Sequence, residues 1–254
     1  MKLEICVDSV ESSIAAASGG AHRIELCSAL SEGGITPSSG LIDAVRKTIF
    51  IDVFVIIRPR GGDFVYSDFE FEVMRNDICI AKQLGANGVV LGLLTAEGRV
   101  DKTRTRSLIE LARPMQVTFH RAFDVAINLE DALEDVIACG VDRILTSGGE
   151  VSAQRGVKTI ATLNKIANGR IHIMAGGSIR VSNVRAIVQR SGVNEVHTSL
   201  STKIASTAQH GNQHVHIGSQ PHEFTRYAVL EEDVRAMKST LEAVRVEKRK
   251  KSSD

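Results

Sequence analysis

Two short runs near the start of the chain each place a carboxylate two residues before a cysteine: Glu4 and Cys6 within Lys2-Leu3-Glu4-Ile5-Cys6-Val7, and Glu25 and Cys27 within Arg23-Ile24-Glu25-Leu26-Cys27. Both runs have strand character, and alternate side chains of a strand share a face. Leu3, Ile5 and Val7 therefore take one face, and Glu4, Cys6 and Asp8 the other. In the second run Ile24 and Leu26 oppose Arg23, Glu25 and Cys27. Neighbouring strands lie about 4.8 Å apart. If these two are parallel neighbours, two thiols and two carboxylates point into one space. Thiolates suit a soft ion such as Cu(I), and carboxylates can carry protons. Spacing alone leaves a third reading open, because buried cysteine is also a common core residue. Cys79 and Cys139, in and at the end of helical patterns, read as packing.

Further polar residues stand at the ends of later β-rich runs. These are Arg58-Pro59-Arg60-Gly61-Gly62-Asp63, Thr118-Phe119-His120-Arg121-Ala122-Phe123-Asp124, Thr146-Ser147-Gly148-Gly149, Ala175-Gly176-Gly177-Ser178 and Glu195-Val196-His197-Thr198-Ser199. Parity puts Ile56 with Arg58, Thr118 with His120, and Glu195 with His197. One inward layer would then hold Glu4, Glu25, Arg58, His120, Glu195 and His197. Burying such groups is costly unless they pair or bind something. Two uses follow. In one they form an ion-pair network, with Arg58 balancing Glu4 and Glu25. In the other Glu4, Glu25, His120, Glu195 and His197 do acid–base work or hold a hard metal, while Arg58 and Arg60 clamp a carboxylate or phosphate. Ser147, Gly148, Gly176, Gly177 and Ser199 resemble an anion grip. No lysine stands near a strand end, which argues against Schiff-base chemistry.

The elements needed to position these groups alternate along the whole chain. Strands are expected at 2–7, 22–27, 52–58, 87–92, 115–120, 142–146, 171–175 and 194–198. Helices are expected near 9–18, 38–48, 68–84, 101–112, 128–138, 152–167, 181–190 and 231–246. Asp8-Ser9-Val10-Glu11 opens a helix in capping style, and Gly19-Gly20 closes it. A helix-ending glycine leads into a strand at Gly20, Gly85 and Gly140, as repeated β/α units require. The pattern gives a single α/β domain over 1–254, a closed parallel (β/α)8 barrel, with a doubly wound open sheet as the alternative. Residues 201–226, with His210, His214, His216 and His222, read as a polar loop over the barrel mouth. His214 and His216 alone would also make a chelating pair. The basic end, 247–254, reads as a disordered tail.

Composition narrows the functions. The 254 residues are 43% hydrophobic, with 31 Lys+Arg against 30 Asp+Glu, so no basic field argues for nucleic acid. Aromatic content is 4%, with no Trp, too little for base-stacking platforms. No apolar run reaches the ~20 residues of a membrane span, and no leader pattern precedes the first strand. Four scattered cysteines without a CxxC pair suit a reducing cytoplasm.

Taken together these phrases resemble the copper homeostasis CutC family. They are Glu4-Ile5-Cys6-Val7-Asp8-Ser9, Arg23-Ile24-Glu25-Leu26-Cys27, Glu32-Gly33-Gly34-Ile35-Thr36-Pro37, Arg58-Pro59-Arg60-Gly61-Gly62-Asp63-Phe64, Thr118-Phe119-His120-Arg121-Ala122-Phe123-Asp124 and Glu195-Val196-His197. The resemblance spans roughly residues 1–245. It implies a TIM barrel, a cytoplasmic homodimer or homotetramer, and a Cu(I) site whose cysteines fall on Cys6 and Cys27. It attaches no firm reaction, so an enzyme acting on a small anionic metabolite, and a protein–protein module, stay open beside it.

Overall fold

Five of the helices begin on a side chain able to accept the first free N–H groups, which sets where each strand's following loop must stop. Ser9, Ser38, Ser67, Asp101 and Asn128 all do this, and Ser67 completes a capping box with Glu70. The computed structural model describes residues 1–205, 207, 214 and 225–251. Its strands are β1 (Lys2–Val7), β2 (Arg23–Leu26), β3 (Asp52–Ile56), β4 (Gly88–Leu91), β5 (Gln116–Phe119), β6 (Arg143–Thr146), β7 (His172–Ala175) and β8 (Glu195–Thr198). The helices between and after them are α1 (Val10–Ser18), α2 (Ser39–Thr48), α3 (Asp68–Gln83), α4 (Lys102–Ala112), α5 (Leu129–Cys139), α6 (Val157–Ala167), α7 (Val181–Ser191) and α8 (Glu231–Lys251). The strands close in sequence order, with β1 pairing both β2 and β8 in parallel. This is a (β/α)8 barrel, not an open sheet.

Strand parity divides the core in two. Leu3, Ile5, Val7, Ile24, Leu26, Val53, Val55, Val89, Leu91, Val117 and Phe119 point outward and are buried with the helices in one large apolar cluster. The inward set is different. Cys6, Cys27, Phe54, Ile56 and Val90 form a small separate cluster. Below it a charged floor fills the space where barrels usually stack aliphatic layers. Gly88 is required there: a Cβ would lie 2.6 Å from the Phe54 ring. The face of the Phe54 ring in turn rests against two guanidinium groups, those of Arg23 at 4.6 Å and Arg143 at 5.4 Å.

Four expectations from the sequence are corrected. Arg58 does not balance Glu4 and Glu25, because Arg23 and Arg143 reach the floor first. Arg23 bonds Glu4 and Glu195, and Arg143 bonds Glu195. Helix α6 starts at Val157 rather than 152, because Gly148 and Gly156 cross so closely that a Cβ on Gly148 would lie 2.5 Å from the Gly156 carbonyl oxygen. The 201–226 stretch is not a loop throughout. Its ends form an antiparallel ribbon of β9 (Ser201–Ala205) and β10 (Thr225–Val229), anchored where Val229 donates to Ser12 Oγ on α1. The chelating pair of His214 and His216, with His210 and His222, falls largely outside the described residues, His214 itself lying in an exposed turn. Finally, α8 runs on to Lys251, so most of the basic end is helix rather than tail. Among the described residues no helix is long and apolar enough to cross a membrane.

Candidate metal and ligand site at the barrel mouth

The first strand pair brings the thiols together. Cys6 stands opposite Glu25 in the β1–β2 register, and Cys27 follows β2 by one residue. Their Sγ atoms lie 3.6 Å apart, both buried. The Cys27 thiol also donates to the Val7 carbonyl at 3.4 Å. The bond to Cys27, then burial and the neighbouring Glu25 carboxylate, push the Cys6 thiol well above its ordinary range. It is a neutral thiol at pH 7, and a metal arriving here must displace protons.

His197 links this thiol pair to the charged floor. Its Nδ1 lies 2.7 Å from Glu4 Oε1, and its Nε2 lies 3.9 Å from Glu25 Oε2. Burial alone would lower its pKa. The Glu25 charge and the Glu4 bond reverse that and raise it. Glu4 feels burial too, yet the charge of Arg23 and the bond from His197 hold it at about 2. Glu25 goes the other way. Burial raises it, His197 opposes, and repulsion from Glu4 adds to the rise. One carboxylate is thus held as an anion, while burial and its neighbour Glu4 make the other easier to protonate than a free carboxyl. Ligand atoms of Cys6, Glu25 and His197 all lie within 4.8 Å of one another.

These groups form one wall of a cavity of about 450 Å3 at the C-terminal ends of the strands. Arg58, Phe64 and His120 also line it, Arg58 from the end of the strand next to β2, and Arg121, Gly177, Ser178, Arg180 and Ser199 complete its rim. Of the residues expected at the mouth, Cys6, Glu25, Arg58, His120, His197, Gly177 and Ser199 meet in this cavity. Cys27 lies just behind Cys6. Glu4 and Glu195 lie deeper, in the floor, since Glu195 opens β8 in register with Lys2 at the start of β1. Arg60 turns away to Glu70 and Asp63. Ser147 is held by Asp124, which also takes the Gly149 N–H and the Thr146 hydroxyl. Gly148 packs on Gly156, and Gly176 is closed in by Leu145, 2.4 Å from where its Cβ would stand. None of these four lines the cavity.

Sequence reading passed over three contributors. Arg23 and Arg143 carry the floor's positive charge. Arg23 had been placed on the inward face without a partner, and the same parity, run from Arg143 to Leu145, finds the second arginine. Arg180 follows the Gly176-Gly177-Ser178 turn at the start of α7, where the turn itself was the only signal.

The fold and site define a class: a parallel (β/α)8 barrel whose mouth joins a buried thiol pair to a cavity lined by ionisable groups. Within that class the chain belongs to the CutC family, whose model matches residues 1–202. It is 47% identical over 241 residues to the family protein CutC of Chromobacterium violaceum, covering 94% of this chain and 98% of that one. It is 49% identical over 217 residues to the human copper homeostasis protein cutC homolog, covering 85% and 80%. Among solved structures, CutC from Streptococcus agalactiae superposes with a TM-score of 0.75 at 34% identity, covering 78% of this chain and 97% of that one. Thiamine phosphate pyrophosphorylase from Pyrococcus furiosus matches with a TM-score of 0.58 at 18% identity, covering 96% of each chain, which shows a shared fold alone.

Proposed function

We propose that this protein serves copper homeostasis by binding Cu(I) at the thiol pair Cys6 and Cys27, with His197 Nε2 or Glu25 able to complete the site. One observation carries the reading: two buried sulfur atoms 3.6 Å apart at the end of adjacent strands, one of them open to the mouth cavity. The donor set fits the ion. Two sulfurs with an imidazole nearby suit a soft monovalent cation far better than Mg2+ or Ca2+, which seek oxygen. The names of the human and Streptococcus agalactiae relatives support the same reading. A reducing cytoplasm agrees with it, since the four cysteines stand as free thiols. Homo-oligomer formation, as dimer or tetramer, belongs to the same proposal.

Anaerobic titration with Cu(I) against a competing chelator tests it. Wild type is expected to take one ion per chain with an affinity that the Cys6→Ser/Cys27→Ser variant lacks. Cys79→Ser and Cys139→Ser are expected to bind as wild type. Equal stoichiometry and affinity in wild type and the double variant would refute the proposal.

A further inference from the structure

Two buried N–H groups on side chains lining the mouth cavity, Arg58 Nε and His120 Nε2, have no acceptor. The Arg58 side chain is 5% exposed. Its terminal nitrogens bond three backbone carbonyls, those of Glu32, Gly34 and Gly62, and its Nε has no hydrogen-bond partner. Among the described residues no carboxylate lies within ion-pair distance of it. A buried guanidinium that meets only neutral acceptors lacks its counter-charge.

His120 adds the second donor. Its Nδ1 accepts the Ala122 N–H at 3.1 Å, so the ring's proton belongs on Nε2. That nitrogen is buried and has no partner. The ring cannot retreat, because it packs directly on Gly92, where a Cβ would stand 2.5 Å from Nδ1. Burial, then the charge of Arg58, depress its pKa to about 3. It is therefore a neutral N–H donor at pH 7, not a cation. Phe64 spans both groups, 5.2 Å from the Arg58 guanidinium carbon and 5.0 Å from the His120 ring centre.

The rim across the mouth has the chemistry for a second oxyanion. Arg180 is exposed and, among the described residues, has no carboxylate within ion-pair distance. Its guanidinium donates to the Ile179 carbonyl. Ser178 and Ser199 line the same cavity from the loops after β7 and β8. Each loop carries a non-glycine residue in the left-handed region, Ser178 at φ 56° and Leu200 at φ 45°. Loops after the seventh and eighth strands are where barrels of this type seat phosphates. Arg121 also reaches the rim but is already paired with Asp124.

We propose that the mouth cavity binds a small phosphorylated carbonyl compound, its phosphate seated at Arg180, Ser178 and Ser199 and its carbonyl or carboxyl oxygen held by Arg58 and the Nε2–H of His120. A cavity of about 450 Å3 accommodates such a molecule. This site goes beyond the copper reading and uses none of the thiols.

The test is calorimetric titration of metal-free protein with 2-phosphoglycolate and, separately, with inorganic phosphate. Its outcome is independent of the copper titration. Phosphoglycolate is expected to bind saturably, one per chain, and inorganic phosphate at least about tenfold more weakly. Arg180→Ala, a surface change, is expected to weaken both by about tenfold or more. His120→Asn, shown folded by circular dichroism, is expected to weaken phosphoglycolate alone. Arg185→Ala, whose side chain pairs with Glu247 away from the mouth, is expected to change neither. No saturable heat from phosphoglycolate up to about 10 mM, or an affinity that Arg180→Ala leaves unmoved, would overturn the proposal. Equal binding of the two probes would overturn the part assigned to Arg58 and His120.

Discussion

At the scale of residues, the two inward histidines have been set to opposite charge by their neighbours. His197 faces Glu25 and Glu4 and is raised, whereas His120 faces burial and Arg58 and is lowered to about 3. Titration of the two rings by 15N-detected NMR is expected to find His197 still protonated above pH 6.5 and His120 neutral throughout the range from pH 7 to 4. The stability consequences have opposite signs. The His197 contribution is fully present below its unfolded pKa of 6.5 and is lost as pH rises through its higher folded value. Glu4, held at about 2 against 4.5, contributes stability that is present above pH 4.5 and is lost as pH falls toward 2. Glu4→Gln is therefore expected to be destabilising at neutral pH and to flatten the acid limb of the urea-denaturation profile between those values. The floor arginines carry the heavier penalty. Arg23→Met leaves Glu4 with His197 alone and Glu195 with one arginine in place of two, and it is expected to cost roughly 3–5 kcal/mol, read from the same urea curves.

At the scale of elements, strand parity alone brought Cys6, Cys27, Glu25 and His197 to one face, because a two-residue period leaves no freedom once the apolar residues choose the helices. The eight strands and the barrel closure were legible for the same reason. What parity did not give was depth. Whether an inward residue lies in the floor or at the mouth depends on inter-strand register, which is why Glu4 and Glu195 were grouped with Arg58 and His120 although they sit a layer below. The ribbon of β9 and β10 escaped notice because Ser201-Thr202-Lys203-Ile204-Ala205 is polar and too short for a clear alternation. The anion-grip motif at Ser147 and Gly148 lies outside the mouth cavity, and Gly148 there meets a close backbone crossing with Gly156. Space at the floor is equally specific. Gly88→Ala on β4 would drive a methyl into the Phe54 ring, and it is expected to cost about 1–3 kcal/mol in thermal or urea unfolding. A variant as stable as wild type would mean that Phe54 and the arginines stacked on it are free to move.

At the scale of the whole molecule, the barrel separates what holds it together from what it can bind. The outer apolar cluster and the charged floor stabilise the fold, and the mouth carries the thiols and the two unsatisfied donors. Serine is close to cysteine in size, so replacing both is expected to leave the barrel folded while abolishing Cu(I) uptake. Copper binding must also release protons, so its apparent affinity is expected to rise with pH across the neutral range, as followed by chelator competition. An ion present at about 100 times its Kd stabilises the folded state by about 2.7 kcal/mol, and that gain is expected in wild type and absent in the double variant. The measurement that bears most directly on the thiol site is X-ray absorption at the copper edge of the Cu(I)-loaded protein. A first shell containing two sulfur ligands, lost in Cys6→Ser/Cys27→Ser and kept in Cys79→Ser and Cys139→Ser, is the expected result. A shell of nitrogen and oxygen alone, or a sulfur shell unchanged in the double variant, would contradict it.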